Sequence, residues 1–174
     1  RRSMLFATIG AMTSVATYNA GAQALDVTRP FTILVGFPAG GSVDVTARLV
    51  AEELRTALGA PVIVENVTGA GGRLAIERAK ASAPDGKTIL ITPAATMTLY
   101  PLIYNKLNYD PSKDFDPVAL VASLYYMLVV STKVVPDNVK SVSDLIAWYN
   151  ANPQSRVYGH GAVGSPLHFI GAML

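Results

Sequence analysis

The sequence predicts an α/β domain built on a parallel sheet. Three observations carry that prediction: short apolar, β-branched runs of strand length, glycine-bearing loops directly after them, and amphipathic stretches that follow the loops. Strand, loop, helix, strand is the order of right-handed βαβ units, whose strand-exit loops share the carboxyl edge of the sheet.

The first strand is Phe31 to Phe37, Phe-Thr-Ile-Leu-Val-Gly-Phe, too short for a helix and suited to a strand covered on both faces. The chain then breaks at Pro38-Ala39-Gly40-Gly41. Ser42 is expected to cap a helix in which Val43, Ala47, Val50, Leu54 and Leu58 form one apolar stripe, with Asp44, Arg48, Glu52 and Arg55 on the other face. Gly59 tolerates the left-handed C′ position and Pro61 cannot continue the ladder, so the helix stops there. The pattern then repeats. Val62-Ile63-Val64 is a second strand, Gly69-Ala70-Gly71-Gly72 a second glycine loop, and Leu74 to Ala83 a second helix, closed by Pro84-Asp85-Gly86. A third strand, Thr88 to Thr92, leads to Pro93-Ala94-Ala95-Thr96 and a short helical stretch before Pro101.

After the turn at Tyr109-Asp110-Pro111, Val118 to Val121 and Tyr126 to Ser131 have strand propensity. Ser141-Val142-Ser143-Asp144 has the spacing of a capping box, and its helix ends before Asn152-Pro153. A strand near Val157-Tyr158 opens a fourth glycine loop, Gly159-His160-Gly161-Ala162-Val163-Gly164. Pro166 then suits the first position of a helix, where its missing N–H costs nothing. That helix reaches Leu174 with no glycine cap, basic last turn or proline stop after it, so the chain is expected to be a C-terminally truncated piece.

The amino-terminal segment has a different role. Arg1 and Arg2 precede an uncharged apolar run from Met4 to Ala16 and a small-x-small pattern, Ala22-Gln23-Ala24. This reads as a secretory signal over residues 1–24, cleaved after Ala24, and implies export of the mature protein. Without Arg1 and Arg2 the 14 basic side chains fall to 12, equal to the 12 acidic ones. A neutral chain lacks the counterion-release attraction that draws basic surfaces to nucleic acid, and no polybasic membrane patch is present. There is no cysteine, which excludes thiolate metal sites, and two histidines disfavour a histidine-rich cage while leaving a carboxylate cation site open. No cofactor or metal is expected.

The loops offer one recurrent chemistry. A helix start presents unpaired N–H groups and partial positive charge, and glycine lets an anion approach the backbone. No Arg or Lys lies within Pro38 to Ser42, Pro93 to Thr96 or Gly159 to Ser165, and Arg73 is the nearest cation. Nucleotide readings fail on spacing. Gly69-x-Gly71 has Leu74 where the dinucleotide fingerprint needs Gly or Ala, and Gly86-Lys87-Thr88 runs into a strand rather than out of one. No Gly-x-Ser-x-Gly elbow exists, although Ser165 and His168 share a helix face. Trp148 and Tyr149 suit core and rim; Tyr125 and Tyr126 suit either a cleft lining or a stiff strand. Asp44 either complements the helix dipole or orients the loop that meets ligand.

Phe37-Pro38-Ala39-Gly40-Gly41-Ser42-Val43-Asp44, Val64-Glu65-Asn66, Gly69-Ala70-Gly71-Gly72 and Ala83-Pro84-Asp85-Gly86 resemble, in order, the motifs of the Bug family, the periplasmic solute receptors of tripartite tricarboxylate transporters. Tyr109-Asp110-Pro111, Lys113-Asp114-Phe115, Pro117-Val118-Ala119, Ser143-Asp144-Leu145 and Gly164-Ser165-Pro166-x-His168 continue the resemblance. It implies a type II periplasmic-binding-protein-like α/β fold: a parallel-type sheet with helices on both faces, in two lobes that close on a small organic carboxylate. Residues 25–126 would form the first lobe and 127–174 the start of an incomplete second.

The resemblance further implies a ligand site at Phe37, Pro38, Ala39, Gly40, Gly41 and Ser42, at Ala94 and Ala95, and at Gly161, Ala162, Gly164 and Ser165. Asp44, Gly71, Gly72 and His168 would support it. The implied partners are the carboxylate and the membrane subunits of a tripartite tricarboxylate-type transporter, or a sensor protein, around a receptor that is monomeric when complete. Departures stand at Pro93-Ala94-Ala95, which lacks hydroxyl donors, at Ala172 in place of an acid, and at His160. The rival readings are an exported α/β hydrolase using Ser165 and His168, or Asp44 as base, and a ligand-sensing module for a signalling partner.

Overall fold

The computed structural model describes residues 27–174, so the signal expected over 1–24 lies outside the described residues. Three parallel strands form the sheet: β1 (Phe31–Val35), β2 (Val62–Asn66) and β3 (Thr88–Ile91), in the order β2-β1-β3. Phe31 pairs with Val62, and Val35 pairs with both Asn66 and Ile91, which aligns the carboxyl ends of all three strands. That alignment sets where the loops leave the sheet.

Helix α1 (Ser42–Leu58) connects β1 to β2, and α2 (Arg73–Lys80) connects β2 to β3 on the far side of β1. Right-handed crossovers running in opposite directions put their helices on opposite faces. Period-two alternation in β1 divides its residues accordingly. Phe31, Ile33 and Val35 are buried in one cluster with Ala47 and Ala51 of α1, against which Val43, Val50, Leu54 and Leu58 pack. Leu34 is the fully buried residue of the other face, where α2 packs on β1 and β3 and buries Ala75 and Ile76. Each fully buried aliphatic side chain contributes about 1.5–3 kcal/mol relative to exposure.

Beyond β3 lie two single-turn helices, α3 (Ala95–Thr98) and α4 (Tyr100–Ile103), then α5 (Pro111–Asp114), α6 (Val142–Ala151) and α7 (Pro166–Met173). Short 3-10 turns stand at Ala70–Gly72 and Pro153–Ser155. Gly59 has the left-handed φ of 61° expected of its stop position. The capping box at Ser141 is complete: the Asp144 N–H donates to Ser141 Oγ, and the Ser141 N–H donates to the Asp144 carboxylate. Among the described residues no helix is long and apolar enough to cross a membrane.

Several elements differ from expectation. Gly41, not Ser42, is the N-cap of α1, and Ser42 is its first helical residue. Asp44 does not join the solvent face: it is 2% exposed, turned inward by three hydrogen-bond donors. Helix α2 ends at Lys80 rather than Ala83, because Ser82 tightens the last turn and its hydroxyl takes the Arg78 carbonyl. Pro101 sits inside α4, at a first-turn position that needs no N–H, instead of ending the stretch.

The strands expected at Val118 to Val121, Tyr126 to Ser131 and Val157-Tyr158 do not form. A strand exists only with a ladder to join, and among the described residues no sheet edge takes up these segments. Val118 is 90% exposed and Tyr125 96% exposed, so apolar character and β propensity alone do not order them.

Candidate functional site

The loop after β1 is shaped by Asp44. Its Oδ2 accepts the Gly40 N–H at 2.8 Å and Arg48 Nε at 2.9 Å, while its Oδ1 accepts Asn66 Nδ2 at 2.9 Å. The same Asn66 amide donates to Phe37 O at 3.0 Å, which ties both ends of the loop to the carboxyl end of β2. Arg48 first, then the Gly40 N–H and the Asn66 amide, hold the Asp44 carboxyl down at about 2. Arg48 is raised in return by the same carboxylate. A charged, fully hydrogen-bonded carboxylate is thus a brace of the loop rather than a base facing solvent.

The second loop presses against the first. Gly69, Ala70, Gly71 and Gly72 all have positive φ, from 50° at Ala70 to 134° at Gly69. A Cβ on Gly36 would lie 2.6 Å from Gly72 Cα, and one on Gly72 would lie 3.1 Å from the Phe37 ring. Tyr100 Oη donates to Gly71 O at 3.1 Å, and burial raises its phenol. Arg73 Nε donates to Ala70 O at 2.9 Å, and the guanidinium lies 4.2 Å from the centre of the Tyr104 ring.

The third and fourth loops join the same edge. Thr96 is buried, its hydroxyl shared between Thr92 Oγ1 at 3.0 Å and Pro93 O at 2.9 Å. Tyr109 Oη donates to Thr96 O at 2.5 Å, and burial pushes this phenol up to about 12. Ala94 is exposed at the loop tip, with Ala95 half-buried beside it. The fourth loop meets the others through Tyr104, whose Oη donates to Val163 O at 3.0 Å, and through Gly164, which packs on Ile103 and Tyr104. A Cβ on Gly71 would lie 3.7 Å from Ala162 Cβ.

All the residues expected at the site therefore stand on loops or helix starts at the carboxyl edge. The structure adds a restriction on their backbone donors. The Gly40 N–H is taken by Asp44, Gly41 N–H by Pro38 O, Gly164 N–H by His168 Nδ1 and Ser165 N–H by Ala162 O. Val45 is the first residue of α1 to bond back to the loop, at Gly41 O. The N–H groups of Ser42, Val43 and Asp44 have no acceptor among the described residues, as the first turn of a helix requires. Those of Gly161 and Ala162 are likewise open.

Ser165 and His168 do not form a nucleophile–base pair. Ser165 Oγ accepts the His168 N–H as the N-cap of α7, while the imidazole Nδ1 accepts from Gly164. His160 stacks on His168 with centroids 4.7 Å apart, and its buried Nδ1 has no hydrogen-bond partner among the described residues. Among the described residues no three His, Cys, Asp or Glu side chains gather to hold a metal ion.

Sequence reasoning missed Asn66, Tyr100 and Tyr104, the side chains that fasten one loop to the next. Asn66 carried a signal in its position, the last residue of a strand whose neighbours end beside it. The two tyrosines carried none, since their partners are backbone carbonyls 29 and 59 residues away.

A family model described as "Tripartite tricarboxylate transporter family receptor" matches residues 46–174. The chain belongs to this family. Curated relatives of this chain include BugT of Bordetella pertussis, 35% identical over 143 residues, 82% of this chain and 43% of that protein. A Cupriavidus necator protein is 37% identical over 141 residues, 80% of this chain and 41% of that one. The chain spans about half the length of the curated relatives it matches or less.

Solved structures similar to this chain include the periplasmic binding protein BugD, 31% identical, TM-score 0.67, over 84% of this chain and 48% of that one. An R. palustris protein with adipate is 32% identical, TM-score 0.66, over 79% of this chain and 45% of that one. MatC from Rhodopseudomonas palustris with bound malate is 34% identical, TM-score 0.60, over 72% and 42%. The fold is accordingly that of a periplasmic binding protein, of which the α/β unit described here is part.

Proposed function

We propose that this chain is the amino-terminal part of an extracytoplasmic solute receptor that holds a small organic carboxylate between two lobes, for delivery to a tripartite tricarboxylate-type transporter. The observation that carries the reading is the set of open N–H groups at Ser42, Val43 and Asp44, in a gathering of four loops that contain no Asp or Glu. Such donors favour an anion, and the helix dipole adds to the attraction. The Asp44 carboxylate is paired with Arg48 and spent on bracing the loop. Malate and adipate bound to similar proteins support the carboxylate class. Family membership supports a periplasmic location and the transporter partner, and gives the Ser165–His168 hydrolase no support.

Isothermal titration of the full-length receptor against dicarboxylates, tricarboxylates, amino acids and aromatic acids tests this. Saturable binding of an organic anion is expected. Binding of none, together with turnover of an ester or phosphate, would overturn it.

A further inference from the structure

We infer that Arg73 selects ligands that carry a second carboxylate; this rests on the reading of the site as a carboxylate receptor. Within the four loops, residues 36–42, 67–73, 92–96 and 159–165, Arg73 is the only Lys or Arg, and there is no acid. Its Nε is held by Ala70 O at 2.9 Å and its plane lies over the Tyr104 ring at 4.2 Å. Those contacts fix the fork and leave Nη1 and Nη2 without an acceptor among the described residues. The contrast with neighbouring cations is direct: Arg29, Arg48, Arg78 and Lys80 each have a carboxylate partner.

The fork stands where the loops meet. Tyr104, on which it rests, is bonded to Val163 O of the fourth loop. A Cβ added to Gly71, two residues before it, would lie 3.7 Å from Ala162 Cβ. Gly72, directly before it, packs on Phe37 of the first loop. A planar guanidinium with two open N–H pairs matches a carboxylate bidentately, and the aromatic ring beneath holds that geometry without neutralising the charge. One carboxylate on the α1 amides and a second on Arg73 make a two-point site for a dianion, whereas a monocarboxylate uses the first point only.

The test is titration of the full-length receptor with succinate, malate and adipate, each against the monocarboxylate of the same carbon number, for wild type and Arg73→Gln. A charge-assisted bidentate contact corresponds to a loss of about 10- to 100-fold. Dicarboxylate affinity is expected to fall by that factor in Arg73→Gln while monocarboxylate affinity stays within about twofold. Arg73→Met, which keeps an apolar stem over Tyr104, serves in the same way if Gln disturbs folding. An unchanged ratio of dicarboxylate to monocarboxylate affinity, whether both fall or neither does, overturns the role of Arg73. A wild-type receptor that binds neither class overturns the carboxylate reading itself.

Discussion

Gly36→Ala tests whether the first two loops are as tightly apposed as the structure shows. The added Cβ would stand 2.6 Å from Gly72 Cα and 2.8 Å from Gly72 O. Favourable carbon contacts begin near ~3.5 Å, so the loops must part by roughly 0.9 Å. Both atoms met are backbone, and Gly72 itself is held at φ 92° against the Phe37 ring, so no side chain can swing aside. Overpacking of this kind costs about 1–3 kcal/mol, and the rigid neighbours favour the upper part of that range. For a domain of 150–250 residues that lowers Tm by about 4 to 12 °C. Gly159→Ala is the matched control, because nothing lies within 4 Å of its Cβ and its φ is not in the left-handed region. Thermal denaturation of both variants in the full-length receptor, followed by circular dichroism, gives the comparison. Equal melting of Gly36→Ala and Gly159→Ala would refute the close packing of the two loops.

Asp44→Asn should lower stability at neutral pH, because it removes the charge that Arg48 meets and turns one acceptor into a donor facing Asn66. The Asp44 carboxyl is held at about 2 when folded, below its unfolded value, so its stabilisation is present above about pH 4 and fades as pH falls toward 2. Urea titrations across that window should show a smaller acid-induced loss for Asp44→Asn than for wild type; parallel pH profiles would contradict the brace. Ser141→Ala removes one half of the α6 capping box and should cost about 0.5–2 kcal/mol. Denaturant midpoints measure it, and Ser141→Asn, which preserves the cap acceptor, should restore most of the loss.

The α/β class, the three strands of the sheet and the positions of α1, α2, α6 and α7 were legible because each rests on local physics. Ile33 and Val35 are apolar at strand period, the α1 stripe repeats at helical period, and Gly59, Ser141 and Pro166 mark ends by backbone chemistry. The segments around Leu120, Tyr126 and Val157 show where that reasoning stops. Propensity describes a residue's fitness for a ladder, and only a partner edge makes the ladder.

The site divides the same way. The glycines and helix starts of the four loops could be named from the sequence, since turns and first-turn amides are properties of a few consecutive residues. Which amides remain open could not be named. Gly40 is occupied by Asp44, Gly164 by His168, and the loops are fastened by Asn66, Tyr100 and Tyr104 across separations of up to 59 residues. The sequence by itself determined where the chain turns and where helix starts present backbone N–H groups. The tertiary structure alone decided which donors are spent within the chain, and that the Arg73 fork has no acceptor among the described residues, because both depend on what distant segments bring to the same edge.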